Sequence, residues 1–229
     1  MCGRYSLKMP LLQVATELGL DHPEFILEPR YNIAPTQRLP VVTGESPRRL
    51  QLMRWGLVPA WAKDPGIGNK LINARAETLA EKPAFRKALQ MRRCLVVADG
   101  FYEWKATPYG KSPQHIHLLS NGLLTFGGLW ESWRDGEGKE LRTFTIITTT
   151  PNTLMAEIHD RMPVIIPPEF REKWLNPQTP QSEIDALLVP LSDGLLAADA
   201  VGNLVNSPRN EGPGLLDGPG TLFSVIGLL

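Results

Sequence analysis

Proline and glycine set the terms on which this chain can fold. The sequence carries 21 prolines and 20 glycines, scattered along 229 residues without a period. Proline removes a backbone donor and fixes φ, and glycine weakens the interior of any element it enters. The stretches between them must be short, so the chain reads as a loop-rich fold of short elements, without a repeat or a low-complexity linker.

Within those stretches the apolar spacing separates helix from strand. PLLQVATELGL has helical spacing and is stopped by Gly19, which predicts a helix over residues 10–18. LPVVT, LQLMRWGLV, RRCLVVADG, HIHLL, LLTFGGLW, RTFTIITTT and PVIIP read as strands bounded by turn residues. TLAEKPAFRKALQM is helical, starting either at the capping box Thr78–Glu81 or with Pro83 at its first position. PNTLMAEI, PEFREKWL and SEIDALL are short helices. Strands outnumber helices and do not alternate with them, which argues against a doubly wound parallel sheet. The expected class is α+β: a largely antiparallel, barrel-like β core with flanking helices, in a single domain spanning residues 1–229.

The beginning of the chain lacks the basic stretch and apolar run of a signal peptide, and no segment approaches the roughly 18 apolar residues that would cross a bilayer. A soluble, cytoplasmic protein with no membrane partner is expected. Its two cysteines, Cys2 and Cys94, suit a reducing compartment. Cys94 lies in an apolar run and reads as packing. The formal net charge is zero, but residues 1–120 hold 17 Lys and Arg against 10 Asp and Glu, while the remainder holds 7 against 14. Such asymmetry can mark a face for a polyanion, or it can be the chance sum of solvated surfaces.

The chemistry begins at MCGR. Removal of the initiator methionine would give Cys2 a free α-amine beside its thiol, and both groups titrate at about 8 to 8.5 in the open chain. An aldehyde would meet that amine to form an imine, and the thiol could close a five-membered thiazolidine. The alternative is a cysteine that merely follows methionine. In DGFYEWK, alternation places Glu103 on the face of Phe101, opposite Tyr102 and Trp104. Apolar neighbours would raise its pKa and suit it to acid–base work, unless it is a satisfied structural glutamate. His159, in IHDRMP, sits where a short helix turns into a strand, a place where functional side chains gather. His115 and His117 alternate along a strand and read as structural or solvent-facing, and His22 lies in a turn. No cysteine or carboxylate cluster completes a metal site around them. INARAET puts Asn73 and Arg75 on one face of an extended segment, where an amide and a guanidinium could hold a sugar or phosphate. Trp55 and Trp61 either fill the core or stack on an exposed base.

Taken in order, MCGR, RYNIAPTQ, RWGLVPAWAKDP, INARAET, RRCLVVADGFYEWK and IHDRMP resemble the SRAP family, the SOS response-associated peptidases that process abasic sites, and VGNLVN resembles its C-terminal pattern more loosely. The resemblance implies that Cys2 captures the ring-opened aldehyde of an abasic site in single-stranded DNA as a thiazolidine crosslink. It further implies that Asn73 holds the cysteine's amine or the sugar, and that Glu103 and His159 move protons. Arg4, Arg75 and Arg161 would bind phosphates, and Trp61 would stack or wedge where a duplex meets a single strand. The only proteolysis required is removal of what precedes Cys2. No metal or cofactor is implied, and the expected state is a monomer that meets the nucleoid through DNA. Two other classes fit parts of the pattern: an N-terminal-nucleophile or cysteine hydrolase using Cys2, His159 and Glu103, and a non-catalytic single-strand binder.

Overall fold

The computed structural model describes residues 2–220. In chain order, β1 (Tyr5–Leu7), α1 (Leu11–Glu17), β2 (Arg30–Ile33), β3 (Arg38–Thr43), β4 (Leu50–Trp55) and β5 (Asn73–Arg75) precede α2 (Arg86–Met91). There follow β6 (Arg93–Ala98), β7 (Gly100–Thr107), β8 (Gly110–Leu118), β9 (Leu124–Arg134) and β10 (Glu140–Thr149). The described chain is completed by α3 (Thr153–Ala156), β11 (Met162–Pro163), α4 (Arg171–Leu175), α5 (Gln181–Asp185) and β12 (Leu196–Ala200).

The class is α+β, with two mostly antiparallel sheets. One is five-stranded in the order β12-β8-β7-β1-β2. In the other, pairing runs from β10 to β4, β3, β6 and β9 and returns to β10, closing a barrel. β5 and β11 attach to β10 at its far end, β5 in parallel and β11 antiparallel. One core serves both sheets. Tyr5 and Phe101 of the first meet Trp55 and Phe126 of the second, with ring centroids 5.2 Å apart for Tyr5–Trp55 and 5.9 Å for Phe101–Phe126. These rings are fully buried and carry much of the apolar stabilisation. Among the described residues, no helix is long and apolar enough to cross a membrane.

Two expectations need correction. Residues 76–78 form a 3₁₀ turn and α2 begins only at Arg86, so neither Thr78 nor Pro83 starts the helix. The residue before a proline is disfavoured in the α region, which breaks the path at Lys82. PVIIP is a strand only through Met162–Pro163. Beyond it the backbone changes partner, from β10 at Val164 N–H to Ile147 O to β9 at Ile166 N–H to Thr125 O.

β1 is fastened by a polar lock. Ser6 Oγ donates to Asp99 Oδ1 at 2.7 Å and lies 3.0 Å from His115 Nε2, while the other Asp99 oxygen accepts the N–H groups of Lys8 and Met9. All three side chains are buried, and burial pushes His115 down to about 3, so it is neutral. A Cβ at Gly100 would lie 2.1 Å from His115 Nε2, so only glycine admits the imidazole there.

Candidate active site

The lock aligns the start of the chain with β7. Tyr5 pairs with Phe101, and Tyr102 N–H donates to Arg4 O at 2.9 Å, so the ladder brings the first residues alongside Glu103. Cys2 is fully buried in the core. Burial first, and the Glu103 charge second, push its thiol far above the ordinary range, so it is protonated at neutral pH. Asn73, carried on β5, donates from Nδ2 to Cys2 O at 2.8 Å. Its Oδ1 is buried without a hydrogen-bond partner among the described residues.

Glu103 shows the alternation that its strand predicts. Phe101 joins the main core, whereas Tyr102 and Trp104 pack with Val201 and Val205 in a separate cluster. Glu103 is 4% exposed, and loss of hydration raises its carboxyl from 4.5 to about 7. His159 Nε2 lies 3.8 Å from Glu103 Oε2. Burial lowers the imidazole pKa, and Asp160 opposes this only in part. Its Nδ1 is 3.0 Å from Arg161 N–H and 2.8 Å from Asp160 Oδ1. The first contact needs a lone pair on Nδ1 and the second a proton there, so these neighbours fit the two different states of that nitrogen. The site therefore joins a protonated thiol, an acid poised at neutrality and an imidazole with a partner for either state.

The remaining residues divide by exposure. Arg161 donates to both Glu77 oxygens, at 2.6 and 2.9 Å, and to Thr148 O at 2.6 Å, clamping the His159 turn against β10. That pairing holds Glu77 below the usual carboxylate range. Arg4 is half-buried, donates to Asn32 Oδ1 at 2.6 Å and Val205 O at 2.7 Å, and lies 5.8 Å over the Trp104 ring. Arg75 is exposed. Trp61 is 62% exposed, while Trp55 is in the core.

Sequence reasoning missed Glu77, Asn32 and the Ser6–Asp99–His115 lock. Asn32 lay inside a quoted motif without a role; here its Nδ2 donates to Ser207 O and Asn210 O, each at 2.9 Å, tying the C-terminal turns to β2. Glu77 follows Arg75 by two residues, but nothing in the local pattern connects it to Arg161.

The geometry gathers a buried cysteine at position 2, an amide that grips its carbonyl, a carboxyl and an imidazole on a barrel-based α+β frame. The chain belongs to the SOS response associated peptidase (SRAP) family, whose model matches residues 1–208. It is 48% identical over 222 residues to the abasic site processing protein YoqW of Bacillus subtilis, covering 95% of this chain and 99% of that one. The abasic site processing protein HMCES of Gallus gallus is 35% identical over 258 residues, covering 93% of this chain and 76% of its own. A crystal structure of a protein from Bacteroides thetaiotaomicron superposes with a TM-score of 0.87 at 30% identity, covering 95% of this chain and 99% of that chain.

Proposed function

We propose that this protein processes abasic sites by covalent capture in single-stranded DNA. Once Met1 is removed, the Cys2 amine attacks the aldehyde carbon of the ring-opened deoxyribose and the carbinolamine loses water to give an imine. The thiol sulfur then adds to the imine carbon, and the thiol proton ends on the nitrogen. The product is a thiazolidine, with one water released and no change of oxidation state. The observation that carries this reading is the convergence of Asn73 and Glu103 on Cys2, with His159 beside Glu103.

The geometry supports a role for each residue. The unpartnered Asn73 Oδ1 accepts from the Cys2 amine and turns its lone pair toward the aldehyde. Glu103, close to half-ionised at neutral pH, gives a proton to the departing hydroxyl and takes one from the buried thiol. His159 assists the imine step and its reversal. Arg75 binds a phosphate next to the lesion, as does half-buried Arg4, and Arg161 serves the same strand through the turn it clamps. Trp61 stacks on a base at the junction of single strand and duplex. The crosslinked monomer shields the lesion on the nucleoid during replication, and removal of Met1 by the protein itself is the peptidase step.

Incubation with an abasic single-stranded oligonucleotide, without borohydride, tests the chemistry. A thiazolidine survives heat on a denaturing gel untreated. An adduct seen only after borohydride reduction would mean an imine-forming lyase, and none under either condition would favour the hydrolase reading.

A further inference from the structure

Between β4 and β5 the chain makes a long excursion, residues 56–72, over one face of the barrel. That face is set by register: Arg54 of β4, Thr143 of β10 and Glu131 of β9 stand directly across from one another, with Trp133 two residues beyond Glu131. Thr143 and Glu131 are buried, and polar groups buried on a sheet must find partners. They find them in the backbone of the excursion. Val58 N–H donates to Thr143 Oγ1 at 2.8 Å, Ala60 N–H to Glu131 Oε2 at 3.3 Å, and Trp133 Nε1 donates to Ala62 O at 2.7 Å.

These contacts bracket Trp61 on both sides. Farther along, Arg54 Nη2 donates to Asn69 Oδ1 at 2.8 Å, and Leu57 N–H to Leu71 O at 3.1 Å closes the base. Gly56 sits at φ +119°, and a Cβ there would lie 2.6 Å from Gly68 O, so the two arms of the excursion touch backbone to backbone. Arg92 pairs with Glu131 from the other side. Leu57 and Val58 are buried while Trp61 stands out at 62% exposure. The loop is a built mount with an aromatic ring at its crest.

We propose that Glu131, Trp133 and Thr143 are positioning residues that hold Trp61 as a preformed stacking surface for a nucleobase beside the captured lesion. The inference rests on the nucleic-acid reading above. Its physical content is preorganisation: a ring whose flanking backbone is already fixed in the free protein loses less freedom on stacking, whereas an unpinned loop must first be ordered.

The test is a double-mutant cycle on non-covalent binding. The parent is the full chain carrying Cys2→Ala, and the probe is an undamaged oligonucleotide with a single-strand/duplex junction, titrated by fluorescence anisotropy. Trp61→Ala is expected to weaken binding about 5-fold or more. Trp133→Phe stays aromatic but removes the indole N–H together with the pyrrole part of the ring, and is expected to weaken binding about 3-fold when Trp61 is present and not at all in the Trp61→Ala protein. Glu131→Gln should behave the same way and serves if Trp133→Phe fails to fold. Equal weakening in both Trp61 backgrounds, or no effect of either mount variant on a protein that binds, would overturn the proposal. No DNA binding by the parent would overturn the functional reading along with it. A failure of covalent capture alone would leave this measurement unaffected.

Discussion

The corner around Cys2 and the crest at Trp61 solve opposite problems. At Cys2 the reactive groups are withdrawn from water: the thiol is fully buried, Glu103 is nearly so, and both hold their protons more tightly than in the open chain. At Trp61 a large apolar ring is pushed into water on a backbone held on either side by hydrogen bonds to buried Glu131 and half-buried Trp133. Desolvation raises proton affinity in the first region, and anchoring exposes a ring in the second. Substitutions in one should change rates and pH dependence, and substitutions in the other should change affinity and its dependence on salt.

The largest effect belongs to Cys2. Cys2→Ala should reduce heat-stable adduct on a denaturing gel to background while leaving anisotropy-measured affinity for undamaged DNA intact. Loss of both would erase the division between the two regions.

Glu103→Gln comes next, with single-turnover capture expected to slow by about 10²–10⁴-fold. The same variant sharpens the electrostatic side. The native carboxyl holds its proton up to about 7, whereas its ordinary value is 4.5. Between those values the unfolded chain releases a proton that the folded chain keeps, so this group's contribution to stability falls as pH rises through the window. The wild type should lose thermal stability across that range relative to Glu103→Gln, and parallel melting profiles would show that Glu103 is not the buried acid described.

Asp99→Ala removes the acceptor for Ser6 Oγ and for the Lys8 and Met9 N–H groups. It should cost about 2–4 kcal/mol in chemical denaturation. The smallest effect is expected from exposed Arg75. Arg75→Ala should weaken single-strand binding uniformly across sequences and make the slope of log affinity against log salt shallower by about 0.7.

Much of the barrel was legible because its strands are continuous apolar runs: RRCLVVADG, LLTFGGLW and RTFTIITTT all fall within β6, β9 and β10 or overlap them. Glu103 was placed on its face by alternation alone, since a strand's period does not depend on the rest of the fold. β1, β2 and β12 were not read as strands, being 3, 4 and 5 residues long and too short to show a pattern. The α2 boundary failed because a capping box and a proline each offered a local start, whereas the buried positions of Leu79 and Phe85 required a turn between them. Polar partnerships across the chain were invisible for another reason. Ser6 with Asp99, Arg161 with Glu77, and Ala60 with Glu131 are separated by 93, 84 and 71 residues, and only closure of the sheets brings them together.

Intact-mass spectrometry of the protein lacking Met1, after incubation with an abasic single-stranded oligonucleotide, tests covalent capture most directly. The expected product weighs the sum of protein and oligonucleotide less one water, and it is absent for Cys2→Ala. The same adduct on the Cys2→Ala protein, or none on the processed wild type, would contradict it.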